Sequence, residues 1–203
     1  MARRLRPVRL DFLDSAPLRL VFDTEVAAPP SAMYRALAED VADSPSWFTA
    51  IAAARSTAGG AGREIRLRGG VVFQERVMAT DPGERYAYRV EETNAPGVRA
   101  LVEEWLLAPA RHGTGTRVRW TLAAEGPAPF RLVTRLARAG VGRSFRAAMR
   151  NLDGRVASPP VRCDVPPGAR PGAVTFRQAA AVPGRASRSG HTPLPRNSSM
   201  AAL

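Results

Sequence analysis

The sequence predicts an α+β domain over residues 18–153, a curved antiparallel sheet of six to seven strands closed over one long C-terminal helix. Three observations predict it. Alternating apolar segments follow one another with only short turn sequences between them. Two short helical segments come after the first strand, and the last structured stretch carries apolar residues at three- and four-residue steps.

Residues 1–17 read as a basic lead-in with little signal of order. Leu18–Val26 alternates and reads as the first strand. Pro29, Pro30 and Ser31 then open a short helix over 32–38, since proline and serine suit a first helical turn. A second helical turn is expected over 42–48. Strands follow at about 51–56, 62–68, 71–80, 84–92, 98–108 and 116–124. The breaks are Gly59-Gly60, Gly69-Gly70, Asp81-Pro82-Gly83, 94–97 and 113–115. Connections this short require neighbouring strands to run antiparallel.

From 129 to 153, Phe130, Val133, Leu136, Ala137, Val141, Phe145, Ala148, Met149 and Leu152 fall on one face of a helix. Gly140 and Gly142 weaken its middle, which predicts a bend or a close approach there. This helix is the only element large enough to cover the inner face of the sheet, and the gap left between them predicts a pocket.

Composition narrows the function classes. The longest apolar runs, 50–54 and 98–102, are far below the ~20 residues of a membrane span. Asp11, Asp14 and Arg19 interrupt what would otherwise be a leader, so a cytoplasmic protein is expected. The single cysteine, Cys163, excludes an internal disulfide and a cysteine metal site, and reads as an inert exposed thiol. The formal charge is +12, of which residues 154–203 carry +6 and residues 15–153 only +4. All thirty basic residues are arginine, which together with much Ala, Gly and Pro points to GC-rich coding more than to a polyanion partner. Residues 154–203 hold eight prolines, five glycines and one aromatic, Phe176, and read as a disordered tail.

Several local sequences carry a family resemblance in a fixed order. They are VAAPPSAMYRALA from Val26, Trp47, Glu75-Arg76-Val77, Asp81-Pro82, RYAYRV from Arg85, Leu107-Ala108-Pro109, and Gly115-Thr116-Arg117 leading to Trp120. With the element order, this resembles the polyketide cyclase/dehydrase and lipid-transport group of the START-like (Bet v 1-like, SRPBCC) superfamily. The resemblance implies a helix-grip fold with a hydrophobic cavity for lipids, sterols or polyketides. Some members of that group catalyse cyclisation or dehydration. The group has no universal catalytic residue, so no mechanism carries over; no cofactor is expected.

Strand alternation then selects side chains for the cavity. Phe73, Glu75 and Val77 share a face; so do Tyr86, Tyr88 and Val90; so do Leu101, Glu103, Trp105 and Leu107, opposite Glu104. Val118, Trp120 and Leu122 share one, with Arg117, Arg119 and Thr121 toward solvent. The expected ligand contacts are Phe73, Glu75, Tyr86, Tyr88, Glu103, Trp105 and Trp120, with Val133, Ala137 and Val141 from the helix. Glu75 and Glu103 are the candidate catalytic residues, because burial among apolar neighbours would raise a carboxyl toward acid–base use. The alternative for each is an ion pair with an arginine on a neighbouring strand, such as Arg66 or Arg89. His112 and His191 fall in a turn and in the tail, which leaves no metal site and no histidine-based triad.

Three functions stay open: a carrier for a hydrophobic small molecule, a cyclase or dehydratase acting through a buried carboxylate, and an interaction module. The third rests on Arg131, Arg135, Arg138, Arg143, Arg146 and Arg150. These have no acid among them and, with the basic tail, suit an acidic partner or an anionic membrane surface. Interleaved aromatics are missing, which argues against nucleic acid. Nothing in the sequence specifies an oligomeric state.

Overall fold

The computed structural model describes residues 2–111 and 114–157. All belong to the first of two compact units, Met1–Arg162. The expectations for residues 158–203, for Cys163 and for His112 lie outside the described residues.

The chain runs β1 (Arg3–Arg4), α1 (Phe12–Ser15), β2 (Leu18–Val26) and α2 (Pro30–Tyr34), which continues as one π-helical turn (Arg35–Glu39). A 3₁₀ turn (Val41–Asp43) leads into α3 (Ser44–Trp47). Then come β3 (Ile51–Thr57), β4 (Gly62–Leu67), β5 (Val72–Asp81), β6 (Arg85–Thr93), β7 (Ala100–Pro109), β8 (Thr116–Glu125) and α4 (Ala128–Val156). The strands form one antiparallel sheet in the order β2-β8-β7-β6-β5-β4-β3, with β1 added beside β6. Seven of the eight were expected from alternation and turn residues.

The N-terminal segment departs from the expectation of little order. β6 and β7 pair only as far as Arg89 opposite Val102, and beyond that point their backbones part. Residues 3–6 fill the gap: Arg3 and Arg4 pair with Thr93 and Glu92, Leu5 N–H donates to Glu91 O, and Arg6 N–H donates to Arg99 O. Val8, Phe12 and Leu13 then pack on Ala100, Val102 and Ala123 on the outer face of the sheet. Unpaired strand groups and a patch of small apolar residues thus recruit a segment whose arginines mask its apolar positions. Thr121, expected to face solvent, is buried beside Ala123 on this covered face.

The other face is the main core. Leu18, Leu20 and Phe22 of β2, the inward residues of β6–β8, and Phe145, Ala148, Met149 and Leu152 of α4 form one cluster. The close approach predicted in the middle of α4 is real at Gly142: a Cβ there would stand 3.0 Å from the Phe22 ring. Only the second half of α4 is buried, however. Leu132, Val133 and Leu136 are 58–74% exposed. Phe130 in the first turn still packs on the core beside Gly97 and Gly126, so the exposed apolar stretch is the one between Phe130 and Val141. None of the helices among the described residues is long and apolar enough to cross a membrane.

Candidate functional site

A cavity of about 280 Å³ lies between the core face of the sheet and the α3 and α4 helices. Each strand from β3 to β8 contributes to its wall, and α4 contributes Val141 and Ser144. Most of the wall is apolar. One side is not: Arg63, Glu75, Tyr88 and Glu103 meet there.

Strand register places this cluster, because cross-strand partners share a face of the sheet. Arg63 stands opposite Glu75, Tyr88 opposite Glu103, and Trp105 opposite Trp120. Gly62, next to Arg63, permits the close approach of β4 and β5; a Cβ there would lie 2.7 Å from the Glu75 carbonyl oxygen. Arg63 Nε donates to Glu75 Oε2, and the guanidinium carbon lies 3.6 Å from the centre of the Tyr88 ring. Tyr88 Oη donates to Glu103 Oε2 at 2.7 Å and accepts from Trp105 Nε1 at 3.0 Å. Trp120 Nε1 donates to the same Glu103 oxygen at 3.0 Å. A slab of stacked rings backs the cluster: Trp105 on Trp120 at 5.3 Å, and Phe145 of α4 on Trp120 at 5.9 Å.

Burial governs the electrostatics. Desolvation raises the Glu75 carboxyl to about 7; its contact with Arg63 opposes the rise and the charge of Glu103 adds to it. Glu103 is also raised by burial, against hydrogen bonds from Tyr88 and Trp120 that favour its charged form. Desolvation works against the Arg63 charge, yet Glu75 and the two tyrosines outweigh it and hold the guanidinium firmly protonated. Burial pushes the Tyr88 hydroxyl well above the usual phenol value, so it is a donor and not a base. The wall therefore carries a fixed cation beside two carboxyls, one of which titrates near neutrality.

Of the expected ligand contacts, Phe73, Glu75, Tyr88, Glu103, Trp105, Trp120 and Val141 line the cavity. Tyr86 is buried outside the lining, edge-on to Tyr34 and 5.4 Å from the Arg63 guanidinium. Val133 and Ala137 are exposed in the first half of α4, away from the cavity. The expected arginine partners are also corrected. Arg66 binds Glu64 and Arg89 binds Glu91, while Glu75 takes Arg63 and Glu103 takes a tyrosine and a tryptophan. Arg63 was not among the sequence candidates, although alternation along β4 puts it on the face of Ile65 and Leu67. Among the described residues no group of three or more His, Cys, Asp or Glu side chains could hold a metal ion.

The model for polyketide cyclase/dehydrase and lipid transport proteins matches residues 18–157. The chain belongs to this family. An uncharacterised Mycobacterium tuberculosis protein is 28% identical over 150 residues, 71% of this chain and 88% of that protein. Among solved structures, a START superfamily protein from Mycobacterium smegmatis superimposes with a TM-score of 0.53 at 17% identity, covering 68% of this chain and 97% of that one. The di-domain ARO/CYC BexL from the BE-7585A biosynthetic pathway gives 0.58 at 21% identity, over 70% of this chain and 48% of that one. At such identities the structural likeness establishes the helix-grip fold of this family member.

Proposed function

We propose that this family member binds a compact hydrophobic molecule in the cavity as a carrier or binding protein. The carrying observation is the cavity itself, apolar over most of its wall with a few convergent polar groups on one side. Its volume of about 280 Å³ is just below the ~300–1,000 Å³ usual for small-molecule pockets, which favours a compact ligand over a long-chain lipid. Native mass spectrometry of protein purified from its own host, followed by thermal shift with fatty acids, sterols and aromatic polyketides, tests the reading. A co-purifying apolar molecule supports it. No adduct and no saturable shift from the whole panel would sink it.

A second reading, a cyclase or dehydratase of a polyketide-like substrate, is favoured by one feature. Glu75 is a buried carboxyl raised to about 7 at the cavity wall, where it can give or take a proton near neutral pH. Turnover that survives unchanged in both Glu75→Gln and Glu103→Gln would exclude these residues as the acid or base.

A further inference from the structure

The polar side of the cavity sets a condition on the charge of whatever enters it, an inference that rests on the cavity being a ligand site. Arg63 brings one positive charge; Glu75 and Glu103 ionised together bring two negative ones. Among the described residues no other charged side chain lines the space. The π-helical turn after α2 gives Leu37, α3 gives Ser44 and Trp47, α4 gives Val141 and Ser144, and β3 gives Ile51. Tyr88 in the wall, Tyr86 behind Arg63 and Tyr34 beyond it are titratable, but burial raises all three away from ionisation.

An unmatched negative charge in a desolvated hollow is costly, so the favoured state keeps one proton on the two carboxyls and leaves the wall neutral. The hydrogen bonds show which atoms remain for a ligand. Arg63 occupies Oε2 of Glu75, and Tyr88 with Trp120 occupies Oε2 of Glu103. Oε1 of each makes no hydrogen bond with another described residue. With one shared proton, the pair offers a ligand one O–H donor and one carboxylate acceptor. A hydroxyl or a carbonyl oxygen is met by such a pair without any change of charge. A carboxylate ligand is not, because Arg63 is already matched.

We propose that the cavity selects an uncharged ligand bearing a hydroxyl or carbonyl group and rejects carboxylate anions, because the Glu75–Glu103 pair already supplies the single negative charge that Arg63 can balance. A carboxylate enters only with a proton, which settles on the second carboxyl or on the ligand itself. Either way one proton is taken up per anion bound.

Three probes with one ring frame test this in the full chain: 2-naphthol, 2-naphthoate and 2-methylnaphthalene, measured by isothermal titration calorimetry at pH 6 in two buffers of different ionisation heat. The expected result is saturable binding of 2-naphthol with no net proton uptake. Binding of 2-naphthoate should be at least tenfold weaker, with about one proton taken up, and should weaken about tenfold more for each pH unit above 6. The double variant Glu75→Gln, Glu103→Gln leaves Arg63 unmatched and should reverse the order of naphthol and naphthoate. If that variant does not fold, the proton count on the wild-type protein decides alone. Naphthoate binding as tightly as naphthol without proton uptake overturns the proposal while the cavity reading stands. So does equal binding of 2-methylnaphthalene and 2-naphthol. Failure of all three probes overturns this proposal, while a co-purifying apolar molecule in native mass spectrometry would keep the cavity reading standing.

Discussion

Arg63 is the residue on which the cavity wall depends. It is almost fully buried, and its charge is matched through Glu75 on the neighbouring strand. Removing one partner of a buried pair costs about 3–5 kcal/mol, because the other is left ionised and uncompensated. Arg63→Met should therefore lower stability by about that amount at pH 8 in a denaturant titration. The loss should shrink at pH 5, where Glu75 accepts a proton and no longer needs its partner. An equal loss at both pH values would mean that packing over Tyr88, and not charge, explains the position. The sequence showed Glu75 and Glu103 because a carboxylate among apolar alternates is conspicuous. It did not show Arg63, because arginines are everywhere in this chain and one more on a short strand carries no contrast. The signal was present in Arg63, Ile65 and Leu67 standing on one face, but choosing it over Arg66 needed the β4–β5 register.

At the level of elements, periodicity identified the apolar face of α4 but not how much of that face is covered. Val133 and Ala137 satisfy the helical pattern as well as Phe145 does, yet apart from Phe130 in the first turn only the turns from Val141 onward pack on the core. Two glycines two residues apart, on different faces of the helix, make the boundary testable. Gly140 is exposed, and a Cβ there would have only the tip of Arg143 nearby, at 4.0 Å. Gly140→Ala should thus gain about 0.5–1 kcal/mol from helix propensity. Gly142 sits against Phe22, so Gly142→Val should lose about 1–3 kcal/mol as the ring is displaced from a packed core. Thermal unfolding of the two variants should move in opposite directions; a shared gain would show that the helix does not press on β2. The N-terminal segment was illegible for a different reason. Its order comes from a gap between β6 and β7 that exists only once the sheet has formed. Deleting residues 2–16 should lower the melting temperature and expose the apolar patch of Ala100, Val102 and Ala123 to a hydrophobic dye. An unchanged melting temperature would show that this segment adds nothing to the fold.

Over the whole molecule, two buried carboxylates on neighbouring strands pull the pH dependence of stability in opposite directions. Glu75 is raised to about 7 in the folded protein from about 4.5, mainly by desolvation. The folded state therefore holds a proton that the unfolded chain releases. The contribution of Glu75 is fully present below about pH 4.5 and is lost as the pH rises to about 7, on the order of 3 kcal/mol in all. Glu64, on the outer face of the same strand as Arg63, behaves inversely. Hydrogen bonds from Arg55, Gln74 and Arg66 lower it to about 2, so its contribution is present above about pH 4.5 and is lost as the pH falls toward 2. Glu103, also raised by burial, adds to the alkaline decline, so these terms together place the most stable condition in mild acid, near pH 4.5–5, and not at neutrality. Denaturant titrations from pH 3 to 8 should show a maximum there. In Glu75→Gln the decline on the alkaline side should flatten, while the acid side, which belongs to Glu64, keeps its slope. A ligand that hydrogen-bonds the shared proton holds Glu75 protonated to higher pH, so saturating ligand should carry the maximum toward neutrality. At a hundredfold excess over Kd it should add about 2.7 kcal/mol besides. A curve that climbs from pH 5 to 8 without ligand would mean that Glu75 is not held as a neutral acid, and the charge selection argued for the cavity would lose its physical basis.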